Sequence, residues 1–213
     1  MKIDAVIFDL DGTLWDSSET VAACWRDTVR QRGRALIEPD GVLIRSLMGM
    51  TSQQICQKVF SVFGAEGEAL CADCLEAEPG YITLHGAELF PGLEDVLRRI
   101  GERMPVFIVS NCQKNYIESF LHCSGMAEYI RDHSCEGDTG LGKADNIKLI
   151  MAKHGIEHAV YVGDTAGDEK SASAAGCSFI HAAYGFGKAS SPVASAARLS
   201  DVPELVFALM EDK

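Results

Sequence analysis

Four short apolar runs constrain this chain more than any other feature. They are "IDAVIFD" at 3–9, "MPVFIVSN" at 104–111, "HAVYVGD" at 158–164 and "CSFIHAAYG" at 177–185. Each is rich in β-branched and aromatic residues and short for a helix, so each predicts a strand. Helical patterns lie between them, at about 93–101, 113–124, 143–154 and 168–175. Strands alternating with helices of this length predict parallel β-α units in a doubly wound, Rossmann-like α/β core. Gly125, Gly155 and Gly176 stand just past three of those helices, where a left-handed cap suits glycine.

The stretch from 16 to 86 has a different texture. It carries helical segments near 17–32, 40–48, 52–63 and 66–78, and no convincing strand. Because it interrupts the alternation directly after the first strand, it predicts an inserted α-helical domain. The expected division is a core of residues 1–15 and 87–213 and a helical insertion over 16–86. "FPG" at 90–92 marks the turn that restarts the core, and "GKASSPVASAA" at 187–197 reads as a surface loop.

Composition excludes several roles. Among 213 residues, 31 acidic side chains face 19 basic ones, a formal charge of −12. That field has the wrong sign for non-specific attraction to nucleic acid or to an anionic membrane. No apolar run approaches the ~20 residues that span a bilayer, and the N-terminus lacks a secretory pattern. The expectation is a soluble, cytoplasmic protein with neither nucleic acid nor membrane as partner; no feature assigns an oligomeric state. The eight cysteines are scattered, which predicts reduced and mostly buried thiols. Cys71 and Cys74 form a C-x-x-C, but the second pair that a structural zinc site needs is missing, so packing is the reading.

In open α/β sheets, ligands bind outside the carboxyl ends of the strands. Here the first run empties into Asp9, Asp11, Gly12 and Thr13, the second into Ser110 and Asn111, and the third into Asp164 with Asp168 beyond. Buried carboxylates need a cation or a proton. A shared cation answers all of them at once, and an oxygen-rich set that leaves room for water and phosphate suits Mg2+. Lys143, opening a helix, supplies a second positive charge, a combination suited to phosphoryl transfer. Taken singly, each feature has an ordinary reading: a turn pair, a loop, a surface lysine, a helix cap. Four such accidents at one sheet edge are the weaker explanation.

"DLDGTLWDS", "VSN", "GLGK" and "VGDTAGD" resemble, in order, the four motifs of the haloacid dehalogenase superfamily, over Ile3 to about Tyr184. The helical insertion resembles the cap of its phosphoglycolate phosphatase and β-phosphoglucomutase branch. The resemblance implies that Asp9 is a nucleophile forming an aspartyl-phosphate. Asp11 would protonate the leaving alcohol and then activate water, while its backbone carbonyl binds Mg2+. Thr13, Ser110 and the backbone amide of Asn111 would hold the phosphoryl group, and Lys143 would neutralise it. Asp164 would bind the metal directly and Asp168 through water. Asp11 argues against the dehalogenase branch, which needs no acid two residues after its nucleophile.

The implied activity is Mg2+-dependent hydrolysis of a small-molecule phosphate ester. A phosphomutase is the first alternative, disfavoured because mutase relatives place arginine just after the cap's G-x-(S/T), where "LMGMTSQQI" has Ser52 and Gln53. A non-catalytic relative acting as a binding module is the second, disfavoured because Asp9 and Asp164 are both kept. Asp16 is expected to cap the first inserted helix, and Trp15 and Trp25 to pack. Arg26, Arg30 and Arg45 are candidates for a second substrate anion, though such arginines are most often simply exposed.

Overall fold

Each apolar run forms a strand because both of its faces are covered. The computed structural model describes residues 3–33 and 37–211. Its first part holds β1 (Ala5–Phe8), β2 (Trp15–Asp16), α1 (Ser18–Gln31), α2 (Gly41–Arg45), α3 (Ser52–Ile55) and α4 (Gly64–His85). Then follow β3 (Glu88–Leu89), α5 (Leu93–Gly101), β4 (Val106–Ser110), α6 (Tyr116–Ser124), β5 (Asp132–Cys135) and α7 (Glu136–Thr139). The last part holds α8 (Lys143–His154), β6 (Ala159–Gly163), α9 (Ala166–Ala175), β7 (Ser178–Ala182), β8 (Ala194–Ala196) and α10 (Val202–Glu211).

Six strands make one parallel sheet in the order β5-β4-β1-β6-β7-β8. Val6 and Phe8 of β1, Val106 and Ile108 of β4, and Val160 and Val162 of β6 enter one apolar core. Their alternates Ala5, Ile7, Phe107, Val109 and Tyr161 enter the other. The period-two alternation is thus apolar on both sides, as a doubly covered parallel sheet requires. After β1 the chain builds outward through β4 and β5, then crosses back to add β6, β7 and β8. Strand order therefore reverses around β1, which places the crevice for a ligand at its carboxyl end.

Two helices and one loop differ from where the sequence places them. The expected helix over 52–63 is α3 followed by a π-helical turn at Cys56–Phe60 and a 3-10 turn at Ser61–Phe63. The segment expected at 66–78 continues through Pro79 to His85, because α4 packs along α1 and α6 and Ile82 beyond the proline is fully buried. The loop expected at 187–197 contains β8, whose Ala194–Ala196 pairs in parallel with Ile180–Ala182. The two chain passages flanking the helical stretch are also tied together: Trp15 and Asp16 of β2 pair antiparallel with Leu89 and Glu88 of β3. Among the described residues, no helix is long and apolar enough to cross a membrane.

Candidate active site

The carboxyl ends of β1, β4 and β6 bring the expected polar residues to one crevice. Asp9 leaves β1 with its amide still donating to the Val162 carbonyl at 2.8 Å, so the sheet ladder itself positions it. One carboxylate oxygen each of Asp9, Asp164 and Asp168 lies within 4.8 Å of the others, all three residues buried. Lys143, at the first position of α8, points its ammonium into this group. Its Nζ donates to Asp9 Oδ1 at 2.8 Å and to Asp168 Oδ1 at 2.6 Å. Burial alone would lower the lysine pKa, but Asp168 and Asp9 outweigh it and hold the ammonium charged.

One ammonium cannot neutralise three buried carboxylates. Burial pushes the Asp9 carboxyl up, the Asp168 charge adds to the push, and Lys143 pulls it only part of the way back. Burial likewise raises Asp164 to about 7, with Asp168 adding to it, against amide hydrogen bonds from Phe186 and Gly187 and the charge of Lys143. Asp164 Oδ2 accepts those amides at 2.7 and 3.2 Å, whereas its Oδ1 is buried with no partner. A charge deficit beside an orphaned carboxylate oxygen, in an all-oxygen donor set, fits a hard divalent cation such as Mg2+.

Asp168 is the most committed of the three. Its Oδ2 accepts from the amide and hydroxyl of Thr165 at 2.9 and 2.6 Å, a capping box that starts α9. Asp11 stands apart, its carboxylate outside the metal-suited group. Its Oδ1 accepts from Trp15 Nε1 at 2.8 Å, Ser17 Oγ at 2.5 Å and Tyr116 OH at 3.1 Å. Burial lifts this carboxyl to about 6, and the hydrogen bonds from Ser17, Tyr116 and Trp15 keep it from rising further. A carboxyl near neutrality can both give and take a proton.

Gly12 makes the turn between these acids possible. It adopts φ +79°, and a Cβ there would lie 2.5 Å from Asp164 Oδ2. Thr13 Oγ1 is buried without a partner at the same turn, and Ser110 is buried at the end of β4. Asn111 uses Nδ2 to bond the Gly49 carbonyl at 3.0 Å, joining the β4 end to the α2–α3 loop.

Other sequence expectations resolve as follows. Asp16 is not the cap expected of it: Ser17 occupies the N-cap of α1, and Asp16, one residue earlier in β2, accepts from the Ser18 amide at 2.9 Å. Trp15 and Trp25 are buried in the core. Arg26 donates to the Pro39 carbonyl, Arg30 pairs with Asp27 and Glu38, and Arg45 pairs with Asp16 and Glu19. All eight cysteines are free thiols, with Cys71 and Cys74 buried among apolar neighbours. Several residues important to the site carried no sequence signal: Ser17 and Tyr116 around Asp11, Thr165 around Asp168, and Phe186–Gly187 around Asp164. Only the glycine spacing of "YGFGK", following β7, hints at the last of these.

A parallel α/β sheet thus carries acids, a lysine and orphaned hydroxyl and carboxylate oxygens at its carboxyl edge, a donor set that could hold a cation. A family model described as haloacid dehalogenase-like hydrolase matches residues 6–182, and the chain belongs to that family. Similar curated proteins include a phosphoglycolate phosphatase of Rhodobacter capsulatus, 29% identical over 192 residues and covering 86% of each chain. An N-acetylmuramic acid 6-phosphate phosphatase of Pseudomonas putida is 26% identical over 193 residues, covering 87% of this chain and 85% of its own. A haloacid dehalogenase-like hydrolase from Streptococcus pneumoniae superposes with a TM-score of 0.78 at 24% identity, covering 98% of this chain and 99% of that one.

Proposed function

We propose that this protein is a Mg2+-dependent phosphatase that hydrolyses a small-molecule phosphomonoester through an aspartyl-phosphate on Asp9. The observation that carries the reading is the buried group of Asp9, Asp164 and Asp168 around Lys143, with Asp164 Oδ1 unpartnered. The relatives' phosphatase names support it. Two of them at nearly equal identity name different esters, so identity alone does not choose the substrate.

Asp9, Asp164 and the Asp11 backbone carbonyl would hold the metal, with Asp168 supporting through water and through Lys143. A bound Mg2+ would offset the carboxylate charge and polarise the phosphoryl oxygens. Thr13, Ser110 and the Asn111 amide would orient the phosphoryl group. An Asp9 carboxylate oxygen then attacks phosphorus, the ester P–O bond breaks, and Asp11 gives its proton to the departing alcohol oxygen. In the second step Asp11 takes a proton from water, the water oxygen attacks phosphorus, and the Asp9–phosphorus bond breaks. Inorganic phosphate leaves and both carboxyls return to their starting states.

Residues 16–86, which contain α1 to α4, would act as a cap over a core of 1–15 and 87–213, closing over the substrate to exclude water. A cytoplasmic setting belongs to the same reading, since eight free thiols suit a reducing compartment. Phosphate release from a panel of small phosphomonoesters, with Mg2+ and with EDTA, tests the proposal. The expected result is release that falls at least ~100-fold in EDTA and returns with Mg2+, accompanied by a Mg2+-dependent rise in Tm. Metal-independent release, or transfer to a second sugar position without free phosphate, would contradict it.

A further inference from the structure

Beside the acidic group lies a cavity whose far wall the proposed reaction chemistry leaves without a role. It measures about 50 Å3, and Asp11, Ser110 and Asn111 form the side nearest the reaction. Because Asp11 would protonate the leaving oxygen, this cavity is where the leaving alcohol sits. A water-sized occupant needs roughly 10–15 Å3 on such a measure, so there is room for only a few heavy atoms. Val21, Ile44, Leu47, Met48, Met50 and Leu75 make most of the far wall apolar. Set into it is Glu78 of α4, 5% exposed.

Glu78 is held in place rather than left mobile. Its Oε1 accepts from Trp25 Nε1 at 2.6 Å, and its Oε2 accepts from Gln113 Nε2. Each carboxyl oxygen takes one donor from the protein, so acceptor capacity remains for a donor in the cavity. Among the described lining residues the charged side chains are Asp11 and Glu78, both acids. Arg26, Arg30 and Arg45 are engaged elsewhere.

We propose that Glu78 is a specificity-determining residue: it selects a small, non-anionic alcohol as the leaving group, one with an apolar body and a hydroxyl or amino donor facing Glu78. The inference rests on the phosphatase reading and deepens it. A leaving group bearing a carboxylate, such as glycolate, would place an anion in a low-dielectric pocket whose described lining contains no lysine, arginine or histidine to offset it. Glu78 itself reports how poorly the pocket tolerates an anion: burial pushes its carboxyl up to about 8, despite hydrogen bonds from Trp25 and Gln113. A substrate carboxylate would meet the same lack of positive potential. A hydroxyl there would satisfy Glu78 and lose little to desolvation.

Three esters of nearly equal size separate the possibilities: ethyl phosphate, 2-hydroxyethyl phosphate and 2-phosphoglycolate. For the unaltered protein with Mg2+, kcat/KM for 2-hydroxyethyl phosphate is expected to exceed that for 2-phosphoglycolate by about 100-fold and that for ethyl phosphate by about ten-fold. At pH 9, above the raised Glu78 value of about 8, Glu78→Gln should compress the first ratio at least ~ten-fold, and a ratio is insensitive to how much of the variant is folded. Met48→Lys, which adds a cation to the apolar wall, should move the ratio toward 2-phosphoglycolate and provides the same test without altering Glu78. A preference for 2-phosphoglycolate, or ratios unmoved by both substitutions, would overturn the inference while leaving the phosphatase intact. Release from none of the three, with Mg2+-dependent release from another ester of the panel, would overturn the inference alone, whereas release from no ester of the panel by folded protein would overturn the phosphatase reading and this inference with it.

Discussion

An Asp9→Asn variant is expected to lose at least ~1,000-fold of its phosphate release while folding as stably as the parent. The loss follows from chemistry, since an amide oxygen is a poor nucleophile and the displacement needs a carboxylate at that point. The retained stability follows from the surroundings. Asp9 is a buried acid whose carboxyl is pushed upward by burial and by Asp168 and Asp164, so its ionised form is unfavourable in the folded protein. Removing that charge relieves repulsion, and Lys143 keeps its 2.6 Å partner Asp168. In metal-free buffer at pH 7 the variant should therefore match or exceed the parent in urea denaturation. This is the pattern expected where a site is organised for reaction at the expense of stability. A variant within ten-fold of parental activity would remove Asp9 from the role assigned to it.

Lys143→Met reverses the balance and is expected to cost both activity and fold. Among the described residues the ammonium is the one cation bonded to Asp9 and Asp168, and both of its partners are buried. Breaking a buried ion pair by removing one member typically costs about 3–5 kcal/mol, because the remaining charge has no compensation. The deficit should depend on pH in a defined direction. Asp164 and Asp9 both have carboxyls raised above the ordinary value of 3.8, Asp164 to about 7. Acids raised in the folded state favour folding when protonated, and that contribution is lost as pH rises through the folded value. In the variant these acids lack even the partial relief that Lys143 gives. Its stability deficit should thus be small near pH 4 and grow toward pH 7 in metal-free buffer. A deficit that is constant across that range would mean the lysine contributes packing rather than charge.

Much of this architecture is legible in the chain because it rests on local chemistry. The four central strands are continuous apolar runs, and a strand buried on both faces leaves that signature. The eight expected site residues sit at or just beyond strand and helix ends, where sheet topology alone brings them together. Asp9 after β1, Ser110 at the end of β4, Asp164 after β6 and Lys143 at the start of α8 need no side-chain packing argument to converge. The edge strands are less legible for a physical reason. β5 is "DHSC" and β8 is "ASA", polar or small sequences at the sheet margins, where only partial burial is required. The sequence reading also assigns no element to the C-terminal stretch that forms α10.

The residues that tune the site are hidden for another reason. Tyr116 reaches Asp11 across a separation of 105 positions, and Trp25 reaches Glu78 across 53. Such contacts depend on how α1, α4 and α6 pack together, which no local pattern encodes. Pro79 misleads in the same way: its local preference ends a helix, yet tertiary packing carries α4 through it. The residues on which the proposed phosphoryl chemistry rests are therefore readable in the motifs. The proposed selection of the leaving group lies in packing that only the folded chain reveals.

In the proposed reaction Asp9 carries the phosphoryl group during turnover. Acid quenching in the presence of substrate and Mg2+, borohydride reduction and mass spectrometry of the peptide spanning residue 9 test this directly. Borohydride reduces an acyl phosphate but not a free carboxylate, so homoserine at position 9 is the predicted product. Steady phosphate release with residue 9 recovered only as aspartate, and homoserine at another acid such as Asp11, would contradict the account.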